Sequence, residues 1–170
     1  MLEAIIGLIV LGLAGWIATD TVRLGVPSLP MSAPAQRGVL ALLAHYPGLR
    51  VLDLGSGFGM LAWVLARHCP DRKIIALEAA LLPHLSGRAV RWLPGGERVQ
   101  HRWQNAHSPA PWPTADIIIV YWMPALMPTL AQLLRRKAAP GTIVISHGFR
   151  LPGWTTIDTR PQLEIFVYRV

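Results

Sequence analysis

Apolar residues occur along this chain at two spacings, and one stretch has no spacing at all. Residues 4–19 (AIIGLIVLGLAGWIAT) are uncharged and apolar on every side of a helical wheel, with Glu3 before them and Asp20 behind. From residue 50 onward, short runs rich in Val and Ile alternate with longer runs of helical period. The first kind covers 50–54 (RVLDL), 73–78 (KIIALE), 99–103, 115–121 and 141–147, and predicts buried strands. The second covers 60–68 (MLAWVLARH), about 81–92 and 125–137. Segments 154–158 and 163–169 close the pattern as an antiparallel pair. Upstream, Ser32 is placed to cap a helix that Pro34 tolerates in its first turn and that runs to about His45. This alternation predicts an α/β fold: a doubly wound, mostly parallel seven-stranded sheet with helices on both faces, preceded by an N-terminal hydrophobic helix.

The expected organisation is therefore a hydrophobic helix over 1–20, a Pro-bearing linker over 21–31 and one globular domain over 32–170. The apolar run is shorter than the ~20 residues that span a bilayer unaided. Thinning of the bilayer, or flanking residues, can make up the difference. A cleaved signal peptide fits less well, because Glu3 stands where a basic region belongs and no small-x-small cleavage site follows. An amphipathic core helix is excluded by the lack of a polar face. The expectation is a membrane anchor through residues 4–19, with docking onto a partner or onto the fold itself as the rival. Arg23 follows the segment and no basic residue precedes it, which puts the C-terminal domain on the cytoplasmic side or in a matrix-equivalent compartment. Trp16 is then expected near the membrane interface.

Charge and composition narrow the partners. Hydrophobic residues make up 52% of the chain, and 16 Lys and Arg against 9 Asp and Glu leave a formal charge of +7, which favours nucleic acid or an anionic membrane surface. The basic residues are scattered, with small clusters at Arg88/Arg91 and Arg135/Arg136/Lys137, and no nucleic-acid module is appended; the membrane surface is favoured and no nucleic acid is expected. Cys69 is the one cysteine, so no internal disulfide can form. The histidines lack metal-ligand spacing, and no metal site is expected. Trp92 and Trp103 read as core, Trp112 as exposed on a loop, and Trp154 as structural.

Chemistry concentrates in one run. Asp53-Leu-Gly-Ser-Gly-Phe-Gly59 lies at a strand-to-helix junction, where glycines let a ligand approach the backbone and the first helical N–H groups point at it. Gly55, Gly57 and Gly59 follow G-x-G-x-G, not the G-x-G-x-x-G of dinucleotide loops, and no Gly-Lys-Ser/Thr follows. Asp53 would repel a phosphate but attract a ligand carrying an ammonium and a sulfonium. Glu78 ends the next strand about 20 residues on, where an acid can accept both ribose hydroxyls.

At this point the chain resembles the class I S-adenosylmethionine-dependent methyltransferases: Asp53–Gly59 matches their first motif and Leu77-Glu78 their second-strand acid. Further on, Ala115-Asp-Ile-Ile-Ile-Val-Tyr-Trp-Met-Pro124, Pro140-Gly-Thr-Ile-Val-Ile-Ser-His147 and Leu151-Pro-Gly-Trp154 are similar to the small archaeal and mitochondrial protein-lysine methyltransferase family. So are the apolar N-terminus and the Pro-rich stretch after it. The resemblance implies a Rossmann-like fold and S-adenosyl-L-methionine as cofactor, held by Asp53, Gly55, Ser56, Gly57, Gly59 and Glu78. It also places Asn105 and Ala106 at the adenine. Compared with the usual layout, the helix between the last two segments is replaced by a Gly/Pro-rich connection.

Methyl transfer from a sulfonium asks for positioning and desolvation of a neutral nucleophile. Tyr121 and Trp122 end the fourth strand, where an aromatic wall can hold a lysine ammonium; many nitrogen methyltransferases carry Asn/Asp-Pro-Pro-Tyr there. His147 is the one histidine placed to assist deprotonation, while Asp116, at the start of its strand, reads as structural. The expected substrate is a lysine of a membrane-associated protein. The alternatives are a small-molecule or lipid-headgroup methyltransferase, or a non-catalytic scaffold or assembly factor that retains the fold.

Overall fold

The structure, a computed structural model, describes residues 1–24 and 29–170. Helix α1 (Leu2–Leu24) comes first, with Leu2, Ile5, Leu8, Leu11 and Trp16 among its exposed apolar side chains. Among the described residues no helix is long and apolar enough to cross a membrane. The spanning anchor expected over 4–19 is therefore unsupported. The stretch expected as a linker is helical up to Leu24, residues 25–28 lie outside the described residues, and Met31 is already buried in the core.

Seven strands form one sheet. In chain order the elements are α2 (Ala33–His45), β1 (Arg50–Leu54), α3 (Met60–His68), β2 (Lys73–Glu78), α4 (Leu81–Ala89), β3 (Val99–Trp103), β4 (Ile117–Val120), α5 (Met127–Lys137), β5 (Ile143–His147), β6 (Asp158–Arg160) and β7 (Ile165–Arg169). The strand order is β3-β2-β1-β4-β5-β7-β6, parallel throughout except that β7 runs antiparallel to both β5 and β6. Chain order reverses between β1 and β4, which puts the glycine loop after β1 at the switch point.

Strand alternation sends successive side chains to opposite faces, and each face has its own core. Val51, Ile74, Ile117, Ile143 and Val167 pack with Leu42 of α2 and Leu65 of α3. Leu52, Ile75, Ile118, Val144 and Tyr168 pack with Leu130 and Leu134 of α5. At the amino-terminal edge Asp116 joins β4 to β1: its carboxylate accepts the Leu49 and Arg50 N–H groups and pairs with the Arg50 guanidinium at 2.6 Å. The hydrogen bonds from Arg50 hold its pKa down to about 2, in keeping with the structural role expected of it.

Boundaries shift where local chemistry interrupts the period. Pro128 lacks an N–H and can occupy only the first turn of α5, so the helix begins at Met127 after a 3-10 turn over Pro124–Leu126, not at 125. Helix α4 stops at Ala89, and a 3-10 turn covers Val90–Trp92. The strand expected over 141–147 loses its first two residues, and that expected over 115–121 loses its first two and its last, Tyr121, which lies just past the end of β4. The strand expected over 154–158 forms later, at Asp158–Arg160, and no helix intervenes between β5 and β6.

Three tryptophans were misplaced by pattern alone. Trp92 and Trp103, expected in the core, are 81% and 63% exposed; one lies in the turn after α4 and the other on the edge strand β3. Trp112, expected to be exposed, is buried, its indole N–H donating to the Ala106 carbonyl at 3.0 Å. Trp154 packs edge-on against Tyr168, which fits a structural role.

Candidate active site

The cleft opens over the carboxyl ends of β1, β2, β3 and β4. Its floor is the glycine loop. Gly55 N–H and Ser56 N–H both donate to the Leu77 carbonyl of β2, at 2.9 and 3.1 Å, so the loop folds across the neighbouring strand. Gly59 is the N-cap of α3, which has no side-chain cap and no acid in its first turn. A Cβ on Gly55, whose φ is +86°, would lie 2.7 Å from Trp122 Nε1. That indole N–H donates to the Leu54 carbonyl at 2.9 Å, and the ring stacks on His107. Only glycine leaves room for the tryptophan. Gly55→Ala is expected to cost roughly 2–4 kcal/mol of stability, left-handed strain adding to the displaced indole, as read by chemical denaturation.

Glu78 ties the loop to β2. One carboxylate oxygen accepts the Gly57 N–H at 2.7 Å, and the other accepts Ala79 and Ala80 N–H, both at 2.8 Å. Asp53 lies beside it, 5% exposed, with Oδ2 buried and without a partner. Burial, reinforced by the Glu78 charge, pushes the Asp53 carboxyl up to about 7, against the pull of the Ala62 N–H. An unpartnered acid in a buried site is costly unless a cation completes it.

The β3–β4 loop forms another wall. Asn105, Ala106 and His107 line the cleft, and Asn105 Oδ1 accepts the His107 N–H at 2.8 Å. The asparagine thus shapes its own turn and keeps its amide N–H groups for other partners. Lys137, which sequence reasoning set aside as one of a basic cluster, holds this loop. Its ammonium donates to the carbonyls of Ala106 and Ala110, each at 3.1 Å, and also to that of Ser108. The run RRK at the end of α5 gave no sign of this, because the contact spans about 30 residues of sequence.

Tyr121 and Trp122 also line the cleft, Trp122 against His107 of that loop. Sequence expectation placed His147 in the site, but it is not among the cleft-lining residues. It packs behind Tyr121, ring centroids 4.5 Å apart, with Nδ1 3.1 Å from the Leu163 carbonyl. Burial lowers its pKa, opposed by the contacts with Leu163 and Glu164; the carbonyl can only accept, so Nδ1 carries the donated proton. Sequence reasoning also missed the apolar mouth: Leu29, Pro30 and Met31 from the presumed linker, with Phe58, Met60 and Leu126. Among the described residues no cluster of His, Cys, Asp or Glu could hold a metal ion.

The model of one protein family, the ANTKMT methyltransferase domain, matches residues 53–158, a stretch running from the buried aspartate of the cleft to the start of β6. The chain belongs to that family. It is a class I methyltransferase, and solved structures agree on the fold. An RNA methyltransferase from Salinibacter ruber, in complex with S-adenosyl-L-homocysteine, is 23% identical; the match covers 83% of this chain and 92% of that one, with a TM-score of 0.71. An O-methyltransferase from Bacillus cereus, in complex with the same compound, is 17% identical over 77% of this methyltransferase and 63% of its own chain, at a TM-score of 0.59. A methyltransferase from Thiobacillus denitrificans is 22% identical over 78% and 53%, at 0.53. At these identities the likeness speaks for the fold alone. No curated protein matches the sequence.

Proposed function

We propose that this methyltransferase transfers the methyl group of S-adenosylmethionine to a lysine side chain of a membrane-associated protein. The observation that carries the donor is the unpartnered Asp53 oxygen, buried at the floor of a glycine cradle. A cationic cofactor supplies what that oxygen lacks, and Gly55 and Gly57 line the same cleft. When bound, the donor supplies an electrophilic methyl group on a sulfonium. Asp53 would answer its positive end, Glu78 would accept ribose hydroxyls with lone pairs left over from its three backbone contacts, and Asn105 and Ala106 would face the adenine. Ser56 and Gly59 complete the cradle.

For the acceptor, support comes from the family and from the aromatic side of the cleft. Tyr121 can hold an ammonium over its ring and, with Trp122, exclude water from the amine once its proton leaves to solvent. His147 acts on Tyr121 as a positioning residue, since its own ring lies behind it. The exposed apolar side chains of α1 support association with a membrane or a membrane protein; the cytoplasmic side for the catalytic domain rests on Arg23 following the apolar segment.

The decisive experiment supplies labelled S-adenosylmethionine to the protein with a membrane fraction and locates the label by mass spectrometry. Methyl-lysine on membrane proteins is the expected result. Label in lipid or small molecules moves the acceptor out of protein, donor binding without transfer leaves a scaffold, and absence of donor binding overturns the proposal.

The Lys137 clamp makes a separate prediction. Lys137→Met frees the wall that carries Asn105 and Ala106, and donor affinity is expected to fall about tenfold, the equivalent of roughly 1.4 kcal/mol of loop ordering. Turnover at saturating donor should change little, and Lys137→Arg should restore part of the affinity. Titration calorimetry beside steady-state rates separates the two effects.

A further inference from the structure

Far from the glycine loop in sequence, the turn after α4 presents an unusual tip. Trp92, Leu93 and Pro94 are consecutive and exposed, Trp92 by 81% and Leu93 by 41%. Three arginines flank the turn. Arg91 lies over the Trp92 ring at 5.6 Å, and Arg67 of α3 lies over Trp63 at 5.3 Å. The Arg67 stem and the Arg98 guanidinium converge on Gly95, where a Cβ would meet Arg67 Cγ at 3.0 Å and Arg98 Nη2 at 3.2 Å. Glu97 is the acid within this turn, and it reaches Arg98 at 3.8 Å while itself exposed.

The tip is built, not loose. Leu93 N–H donates to the Val90 carbonyl, Gly96 N–H to that of Leu93 and Arg98 N–H to that of Gly95. The Trp63 indole N–H fastens the turn to α3 through the Pro94 carbonyl at 3.1 Å. Packing inside the domain thus explains Trp63 but not Trp92. A rigid Trp-Leu-Pro tip ringed by arginines has the chemistry of a surface that is apolar just below a layer of phosphates. Nucleic acid would instead stack bases on open aromatic faces along a basic track, and here one face of Trp92 is taken by Arg91.

We propose that the turn over 91–95, with Arg67 and Arg98, docks the domain on an anionic phospholipid bilayer: Trp92 and Leu93 enter the interface and the arginines meet headgroup phosphates. This deepens the membrane-associated part of the reading above and does not depend on methyl transfer, so either can fail alone.

The test is co-sedimentation of the full chain with vesicles of phosphatidylcholine alone and with about one third phosphatidylglycerol. Helix α1 contributes to both, so the ratio of the two partition coefficients is the readout. The expected ratio is at least about tenfold, collapsing in high salt. Arg67→Gln/Arg91→Gln/Arg98→Gln should bring it close to one. Trp92→Ser/Leu93→Ser, at side chains that support no core, should weaken partition into the anionic vesicles with an unchanged thermal midpoint. A wild-type ratio near one, an arginine variant that keeps the full ratio, or a Trp92/Leu93 variant that keeps full partition into the anionic vesicles overturns the proposal. So does a labelled single-stranded oligonucleotide whose binding the arginine variant abolishes while vesicle binding stays intact.

Discussion

Replacing Asp53 by asparagine is expected to weaken S-adenosylmethionine binding by about a hundredfold or more while stabilising the free protein at pH 8. The two effects have one origin. Asp53 is buried beside Glu78, and its carboxyl is raised from 3.8 to about 7 by burial first and by the Glu78 charge second. A carboxyl whose folded pKa exceeds its unfolded one contributes stability fully below about pH 4, and that contribution is lost as pH rises through about 7. The loss across that window is of the order of 3–4 kcal/mol. Asparagine carries no charge and escapes it, so its advantage in thermal midpoint should be full at pH 8, shrink as pH falls through 7 and vanish only below about pH 4. Donor binding runs the other way. A cationic ligand prefers ionised Asp53, so wild-type affinity should climb with pH up to about 7 and then level off, whereas the variant should show no such rise. A hundredfold loss corresponds to about 2.7 kcal/mol, in the range of a charge-assisted contact. Calorimetric titration across pH 5.5–8.5 reads both curves, and a wild-type affinity flat with pH would refute the assignment of Asp53 to the cationic donor.

Glu78→Ala is expected to abolish donor binding and also to destabilise the fold, opposite in sign to the aspartate change. Three backbone N–H groups, those of Gly57, Ala79 and Ala80, converge on its two oxygens at 2.7–2.8 Å. Removing the carboxylate leaves all three without a partner, at a cost of about 3 kcal/mol or more. For a chain of this size that lowers the thermal midpoint by roughly 6–12 °C. Glu78→Gln keeps a single acceptor oxygen and turns an amide toward at least one N–H group, so it should fall between wild type and alanine. Scanning calorimetry of the three proteins without donor is the measurement. An alanine variant as stable as wild type would mean that the loop is held by the strands alone. The pairing of opposite signs matters, because a merely misfolded site would lower stability in both variants.

Which parts of this were legible in the chain follows from the range of the interactions involved. Strands β1, β2 and β3 and helix α3 have the bounds that the apolar period predicts, since each is defined by residues within its own run. The glycine loop was legible for the same reason: Asp53, Gly55, Gly57 and Gly59 are close in sequence, and the turn they make requires only local backbone freedom. Errors arose where the deciding partner was distant. Trp103 shares the apolar character of a core residue, but β3 became an edge strand, which exposes its outer face. Trp112 sits among prolines like a surface residue, yet the Ala106 carbonyl and α5 enclose it. His147 was placed at a strand end correctly, and only packing showed Tyr121 standing between it and the cleft.

By itself, then, the sequence determined the alternation of elements, the sheet they build and the acid-and-glycine signature of the donor site. These depend on side-chain period and on backbone freedom, both local properties. Tertiary structure decided what those residues do to one another. It buried Asp53 beside Glu78 with Oδ2 unpartnered, which pushes the carboxyl up to about 7, and it turned Glu78 into the fastening of the loop. It brought Lys137 across about 30 residues to hold the wall of the cleft, and it gathered Arg67, Arg91 and Arg98 around an exposed tryptophan. Burial, pairing and convergence depend on distances in space, which a linear pattern of apolar and polar positions does not encode.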